Sequence, residues 1–265
     1  MSTSRAASRP WAPPSSGRMA ETRVPGPVPR FELAEWKDRF GVLAGITGRG
    51  EDPAPFDLGL AGRTAPVGEV MGRWRAFRGS LPEFPGIVLA RQVHGTAVLW
   101  HAAASGLVIL AEADGHATAT PGLLLAVSVA DCIPIYLVDP ARRTIALLHA
   151  GWRGTAAGIL ARGLALLGEQ GSSPKNVVMH CGVGICGPCY EVGSEVLEGC
   201  GLPVPAGGRG PLDLRAALAV QARELGVGEV SASPLCTRHD GSAFFSHRGS
   251  GGADGRMVAY LGLLP

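Results

Sequence analysis

The chain has 265 residues, 46% of them hydrophobic and 17% charged, with a formal net charge of +2. That length is enough to bury a sizeable core, in one large domain or two small ones. The small charge argues against nucleic acid or a membrane surface as a partner, and no apolar run reaches the ~18–20 residues that a membrane helix needs.

Residues 1–30 are rich in Pro, Ser, Ala and Arg and lack the apolar stretch of a secretory signal, so they read as a disordered extension. The rest, 31–265, holds no internal repeat and no obvious linker and reads as one domain. Within it, 31–40 is a short mixed segment leading into a first strand over 41–47. Gly, Asp and Pro make 48–55 a loop. Helical spacing puts Val70, Trp74 and Phe77 on one side of a helix over 67–77. From Gly86 onward short apolar runs alternate with turns, and their β-branched content predicts strands over 87–93, 123–129, 133–138, 144–149, 177–183 and 229–232. A helix over 155–169 is stopped by Gly171, and another over 213–225 opens on a capping Asp and closes at Gly226. Near-continuous apolar strands with intervening helices predict an α/β domain of mixed sheets flanked by helices.

Six cysteines (132, 181, 186, 189, 200 and 236) without a secretion signal read as reduced thiols or ligands, with the cytoplasm as the expected location. Three metal-capable side chains stand at predicted strand ends, where α/β folds place their ligands: His94 before Gly95, Cys132 after Asp131, and His149 before Ala150-Gly-Trp-Arg-Gly154. Two imidazoles and a thiolate suit Zn²⁺ with an open fourth position, the pattern of a catalytic site. Their spacing matches no compact metal motif, so from spacing alone each histidine reads more readily as a hydrogen-bonded residue in or near the core than as a ligand.

Seven strings in chain order carry more information. They are Arg91-Gln-Val-His-Gly95, Ala113-Asp-Gly115, Val129-Ala-Asp-Cys-Ile-Pro134, His149-Ala-Gly-Trp-Arg-Gly154, Cys189-Tyr-Glu-Val-Gly193, Leu235-Cys-Thr237 and Phe244-Phe-Ser-His-Arg248. Together they resemble the YfiH/laccase-domain family over roughly residues 41 to 263. The resemblance implies a single α/β domain and a Zn²⁺ (copper in some descriptions) held by His94, Cys132 and His149. It also implies phosphorolysis of adenosine, inosine and methylthioadenosine, with nucleoside and phosphate as partners, together with adenosine deamination. Two other activities come with it: polyphenol oxidation with copper, and hydrolysis of UDP-MurNAc-serine by a peptidoglycan editing branch. In that last reading Cys132 serves as nucleophile and His149 as base. Seven scattered histidines do not supply the clusters of a multi-copper oxidase.

Phosphorolysis needs a phosphate-binding group, and a guanidinium offers fixed bidentate donors. Arg49, in the segment that resembles the family's early TxR, is the first candidate, followed by Arg248 and Arg153. Gln92 is a candidate donor to substrate, with a structural hydrogen bond as the favoured reading. Asp131 reads as a turn-capping neighbour of Cys132 rather than a catalytic acid, and Tyr190 and Glu191 as packing and turn residues. Cys186-Gly-Pro-Cys189 has the CxxC form of a redox or metal pair. It lies in the glycine-rich approach to the YEVG string and reads as structural thiols. His116 reads as a surface turn residue. Departures from the family pattern lie before residue 80, where 50–59 is shortened and Gly72-Arg73 stands for an Asn-Arg pair.

Overall fold

The computed structural model describes residues 17–51, 53–60 and 65–265. In chain order the first half runs β1 (Thr22–Val24), β2 (Arg30–Glu32), α1 (Ala34–Phe40), β3 (Val42–Thr47), α2 (Val67–Gly79), β4 (Gly86–Arg91), β5 (Val98–His101), β6 (Gly106–Glu112), β7 (Gly115–Thr118) and β8 (Leu123–Val129). It continues with β9 (Ile133–Asp139), β10 (Thr144–Ala150), α3 (Trp152–Ala156), α4 (Ile159–Glu169), β11 (Val178–Cys181), β12 (Glu191–Gly193) and α5 (Ser194–Gly199). The last elements are β13 (Arg209–Pro211), α6 (Leu214–Glu224), β14 (Glu229–Ala232) and β15 (Met257–Leu263).

Two mixed sheets carry the architecture, one ordered β1-β2-β3-β15-β8-β4-β6 and the other β14-β11-β9-β10-β7-β5. Alternate residues explain the layering, because a strand's side chains point to opposite faces. Val127 and Val129 of β8 and Ala259 and Leu261 of β15 meet Tyr136, Val138, Ile145 and Leu147 of the other sheet in a common core. The opposite face of the first sheet packs Leu124, Ala126 and Tyr260 against Val70, Trp74 and Phe77 of α2. The opposite face of the second packs Leu137, Ala146 and Leu148 against α4 and α6. The order is therefore helix, sheet, sheet, helix, which is the α/β domain expected. It also explains why β8, β9 and β10 read as unbroken apolar runs: both faces of each are covered. Each large side chain buried this way contributes about 1.5–3 kcal/mol.

Several elements depart from the sequence-based expectation. The helix expected over 155–169 is two helices, because Gly158 adopts φ +84° and breaks the run between α3 and α4. The strand expected over 177–183 stops at Cys181. At Gly182, where the chain leaves the sheet, a Cβ would lie 2.7 Å from the Tyr136 ring. The capping Asp holds: the Asp213 carboxylate accepts from the N–H groups of Arg215 and Ala216.

The extension expected over 1–30 needs correction from residue 17 onward, while residues 1–16 lie outside the described part. Arg18 bridges Ala232, β1 pairs with β2, and Glu21 is buried with its carboxylate accepting from Ser233 Oγ at 2.6 Å and Val183 N–H at 3.2 Å. Among the described residues no helix is long and apolar enough to cross a membrane.

Candidate metal centre

β4, β6 and β8 run parallel within the first sheet, so their C-terminal ends lie at one end of the sandwich. After each of them the chain crosses to the second sheet: β4 to β5, β6 to β7, β8 to β9. His94 lies in the first crossing, Asp114 in the second, and Asp131 and Cys132 in the third. β10 is antiparallel to β7 and β9, which brings His149 to the same end, opposite Pro134. The loops before β15 and after β11 open there as well, since Met257 pairs with Val129 and Cys181 with Ile135. Residues far apart in sequence thus meet where the two sheets exchange chain.

Asp114 organises the meeting point and is fully buried. Its carboxylate accepts from the backbone N–H groups of Val93 at 3.2 Å, His94 at 2.9 Å and Gly95 at 2.7 Å. Those three donors hold the turn in which His94 takes φ 59°, a conformation uncommon for a residue with a Cβ. The same carboxylate receives Nδ1 of His149 at 2.9 Å, and the Asp114 carbonyl accepts the His149 N–H at 2.7 Å. Burial opposes its charge, but the His149 ring and the N–H groups of Gly95 and Val93 outweigh that and hold the carboxyl below its ordinary range. One carboxylate therefore fixes the backbone under one histidine and the tautomer of another.

With Nδ1 engaged, His149 has Nε2 left for the site. Its ring stands 4.9 Å, centroid to centroid, from that of His94 at 74°. Cys132 Sγ lies 4.0 Å from His94 Nε2. Burial disfavours the Cys132 thiolate, yet the charge of His149 and hydrogen bonds from both imidazoles outweigh it, and the thiol is brought down to about 6. Burial likewise opposes protonation of His149. Cys132 and Asp114 overcome it and raise the imidazole to about 9. Asp131 at φ 89° sets the approach to Cys132, its carboxylate accepting from Thr237 Oγ1 at 2.6 Å and from Arg248 N–H at 2.6 Å. Its carboxylate thus ties two distant loops to the turn before Cys132.

The donor set fits a metal of zinc type. The ligating atoms of His94, Cys132 and His149 all lie within 4.8 Å of one another, and two imidazoles plus a soft thiolate match borderline-soft divalent ions. The carboxylate behind His149 completes the arrangement usual for a metal-ligating histidine. Gly151 keeps the cradle open, since a Cβ there would lie 2.9 Å from His94 Cδ2 and 3.1 Å from Cys132 Sγ.

The remaining candidates separate. Arg248 sits close by, Nη1 donating to the Glu191 carbonyl at 2.7 Å and the guanidinium lying 4.9 Å from the Tyr190 ring centroid. The Arg248 N–H donates to the carboxylate of Asp131, the neighbour of Cys132, so this pair borders the centre. Arg49 follows β3 and forms an ion pair with Asp254 at 3.2 Å, its guanidinium 5.2 Å from the Phe245 ring centroid. Gln92 makes structural hydrogen bonds here. Its amide nitrogen donates to the Ser128 carbonyl at 2.8 Å and its oxygen accepts the Ser128 N–H at 2.7 Å, tying the His94 turn to β8. Arg153 lies over the Trp152 ring at the start of α3. His116 is not a surface turn residue: it is fully buried in β7, with Nδ1 3.0 Å from His101 Nε2.

Asp114 and Thr237 had no role assigned from sequence. Both lie inside the strings that carry the family resemblance, which was the available signal.

Comparison with known proteins agrees with this geometry. A purine nucleoside phosphorylase of Deinococcus radiodurans is 39% identical over 178 residues, covering 65% of this chain and 68% of that protein. The purine nucleoside phosphorylase YlmD of Geobacillus stearothermophilus is 32% identical over 252 residues, covering 84% and 90%. The crystal structure of YlmD from the same organism superposes with a TM-score of 0.84 at 28% identity, covering 92% of this chain and all of that one. The model of the family described as multi-copper polyphenol oxidoreductase laccase matches residues 66–264. With three quarters of its length matched and the His94–Cys132–His149 centre intact, the chain belongs to this YfiH-like laccase-domain family.

Proposed function

We propose that the protein is a metal-dependent purine nucleoside phosphorylase acting on adenosine, inosine and methylthioadenosine, with adenosine deamination as a second reaction of the same site. The observation that carries the reading is the convergence of His94, Cys132 and His149 around Gly151, backed by the carboxylate of Asp114. Relatives at 32–39% identity that bear the name purine nucleoside phosphorylase support the substrate class. Bound by those three residues, Zn²⁺ would supply Lewis acidity toward a substrate oxygen or an attacking water.

The chain's own groups account for the rest. Phosphorolysis joins a phosphate oxygen to ribose C1′ as the bond from C1′ to the purine nitrogen breaks, and the base leaves with a proton. Arg248, stacked on Tyr190 beside the centre, is placed to attract the phosphate dianion. Arg49 remains the second candidate, and its pairing with Asp254 means that phosphate there must compete with a carboxylate.

The test is chromatography of zinc-loaded protein with adenosine, with and without phosphate, beside Cys132→Ala. Phosphate-dependent adenine release that is lost in the variant supports phosphorolysis at this site. Inosine formed without phosphate assigns deamination instead, and the absence of both products rejects the adenosine reading.

One observation favours a second reading. Against the burial that opposes both charges, Cys132 and His149 draw the thiol down and the imidazole up, the direction that suits a cysteine nucleophile and its base. Amide hydrolysis of UDP-MurNAc-serine by this pair requires no metal, so turnover that survives chelator treatment separates it from the first. A copper polyphenol oxidase has less support. Among the described residues the two Cys/His groupings contain three imidazoles in all, fewer than a multi-copper cluster uses.

A further inference from the structure

Cys186-Gly-Pro-Cys189 is not an isolated pair. A short 3-10 turn over Gly187–Cys189, closed by the Cys189 N–H to the Cys186 carbonyl at 3.0 Å, presents both thiols to one side. Cys236 and His239, from the loop after β14, complete the group, and the four ligating atoms lie within 4.8 Å of one another. Cys186 Sγ is 3.6 Å from His239 Nδ1 and Cys189 Sγ is 3.3 Å from His239 Nε2. Sulfur and nitrogen bound to one tetrahedral zinc ion, at ~2.3 and ~2.0–2.1 Å from it, stand about 3.5 Å apart. An imidazole gives an ion only one of its nitrogens, so one of these two separations is the distance between ligands, and each lies close to that value.

We propose that Cys186, Cys189, Cys236 and His239 form a second, structural zinc site, separate from the His94–Cys132–His149 centre. A disulfide would join two of the three thiols and leave the third and the imidazole without purpose, whereas all four are donors to a closed Cys3His shell. The surroundings suit sulfur carrying negative charge. The Cys186 N–H donates to Cys236 Sγ at 3.3 Å, and the Arg238 guanidinium donates to the Cys189 carbonyl at 3.4 Å. Three thiolates on a dication leave one net negative charge, which that arginine faces. Ile185 and Tyr190 close the apolar side of the cluster, while His239, at the exposed rim, gives the ion its entry.

The proposed site would clamp the loops that hold Asp131. Gly184 bridges Cys236, the Ile185 N–H donates to the Asp131 carbonyl at 2.9 Å, and Thr237, next to Cys236, donates to the Asp131 carboxylate. An ion bound here stiffens both supports of the residue that precedes Cys132.

The experiment uses the full chain carrying His94→Ala and Cys132→Ala, so that the first centre keeps only His149 and the remaining metal reports the second. After equilibration with Zn²⁺ and gel filtration this protein retains about one equivalent, and zinc X-ray absorption shows three sulfurs and one nitrogen. Replacing the ion with Co²⁺ gives a thiolate-to-metal charge-transfer band, and chelation lowers the unfolding temperature. Adding Cys186→Ser removes the band and the equivalent. Should that variant misfold, His239→Ala serves instead, keeping the three sulfurs and weakening zinc retention at least tenfold. Recovery of the double variant without metal, metal retention unchanged by Cys186→Ser or by His239→Ala, or a Cys186–Cys189 disulfide in anaerobically purified protein overturns the proposal.

Discussion

Among the described residues the molecule gathers histidine and cysteine twice, by opposite means. The His94–Cys132–His149 group stands on strand ends and sheet crossings, where the hydrogen-bond ladders of two sheets fix the backbone. The Cys186–Cys189–Cys236–His239 group hangs on two loops outside the two large sheets, joined by the Gly184–Cys236 bridge and by contacts to Asp131. The first has three donors, a carboxylate behind one of them, and a glycine that keeps space open. The second has four donors and no open position. A rigid scaffold can hold three ligands apart with a place left for substrate, whereas loops need the fourth bond to become rigid.

The largest effect that sharpens this contrast is expected at Asp114. Asp114→Asn keeps the shape but weakens acceptance from three backbone N–H groups and alters the partner of His149 Nδ1. Zinc affinity of the first centre, measured by chelator competition, should fall about 10–100-fold, as for other carboxylates behind metal-bound histidines. The second site should keep its ion. Equal loss at both sites would mean that the two groups do not fold independently, and the contrast would collapse.

Gly151→Ala is expected to act next most strongly, and only on the first centre. Its new Cβ meets His94 Cδ2 and Cys132 Sγ at 2.9 and 3.1 Å, so one ligand must shift by several tenths of an ångström. Nucleoside cleavage should drop roughly tenfold or more, since small misplacements at reacting groups are costly, while the unfolding temperature stays close to wild type. A variant with unchanged kcat and KM would show that the cradle has more room than the geometry allows.

Thr237→Val probes the link between the two groups. It removes the hydroxyl donor of the buried Asp131 carboxylate, at a cost of roughly 1–3 kcal/mol for an unsatisfied charged acceptor. Thermal unfolding should register that loss, and Cys132 should label faster with a thiol reagent as its neighbour loosens. Stability lost without any change in Cys132 labelling would confine Thr237 to folding.

The same contrast governs what the sequence reveals. β8, β9 and β10 are legible because burial on both faces leaves an unbroken apolar signature. β15 carries that signature too, over Met257–Leu263, yet drew no strand assignment although it pairs at the centre of the first sheet. The first centre leaves almost no local pattern. Its ligands are separated by 37 and 16 residues, so their place at predicted strand ends made them candidates, and the family strings joined them into one set. The positive φ of His94 and the role of Asp114 belong to tertiary contacts that no window of sequence contains. The CxxC pair is the reverse: its local form was visible, but read alone it suggested structural thiols. Cys236 and His239 approach it from a loop that no spacing rule connects.

Acid should expose the smallest difference near neutral pH, beneath the first centre alone. His116 follows Asp114 by two residues in β7, fully buried, its Nδ1 against His101 and its Nε2 without a partner. Burial, joined by repulsion from His101 and only partly offset by Asp114, brings its imidazole down to about 3 from an ordinary 6.5. As pH falls below 6.5 the unfolded chain takes up this proton while the folded one does not. The stability contributed by the neutral ring is therefore complete above 6.5 and declines toward pH 3, at up to roughly 1.4 kcal/mol per pH unit. His116→Leu removes that proton uptake, so its denaturant-unfolding free energy should fall less steeply than wild type between pH 6 and pH 4. The two curves should run parallel above pH 7, offset by the lost hydrogen bond to His101. Parallel curves throughout would mean that the folded protein admits the proton, and that the layer under Asp114 is less closed than its burial indicates.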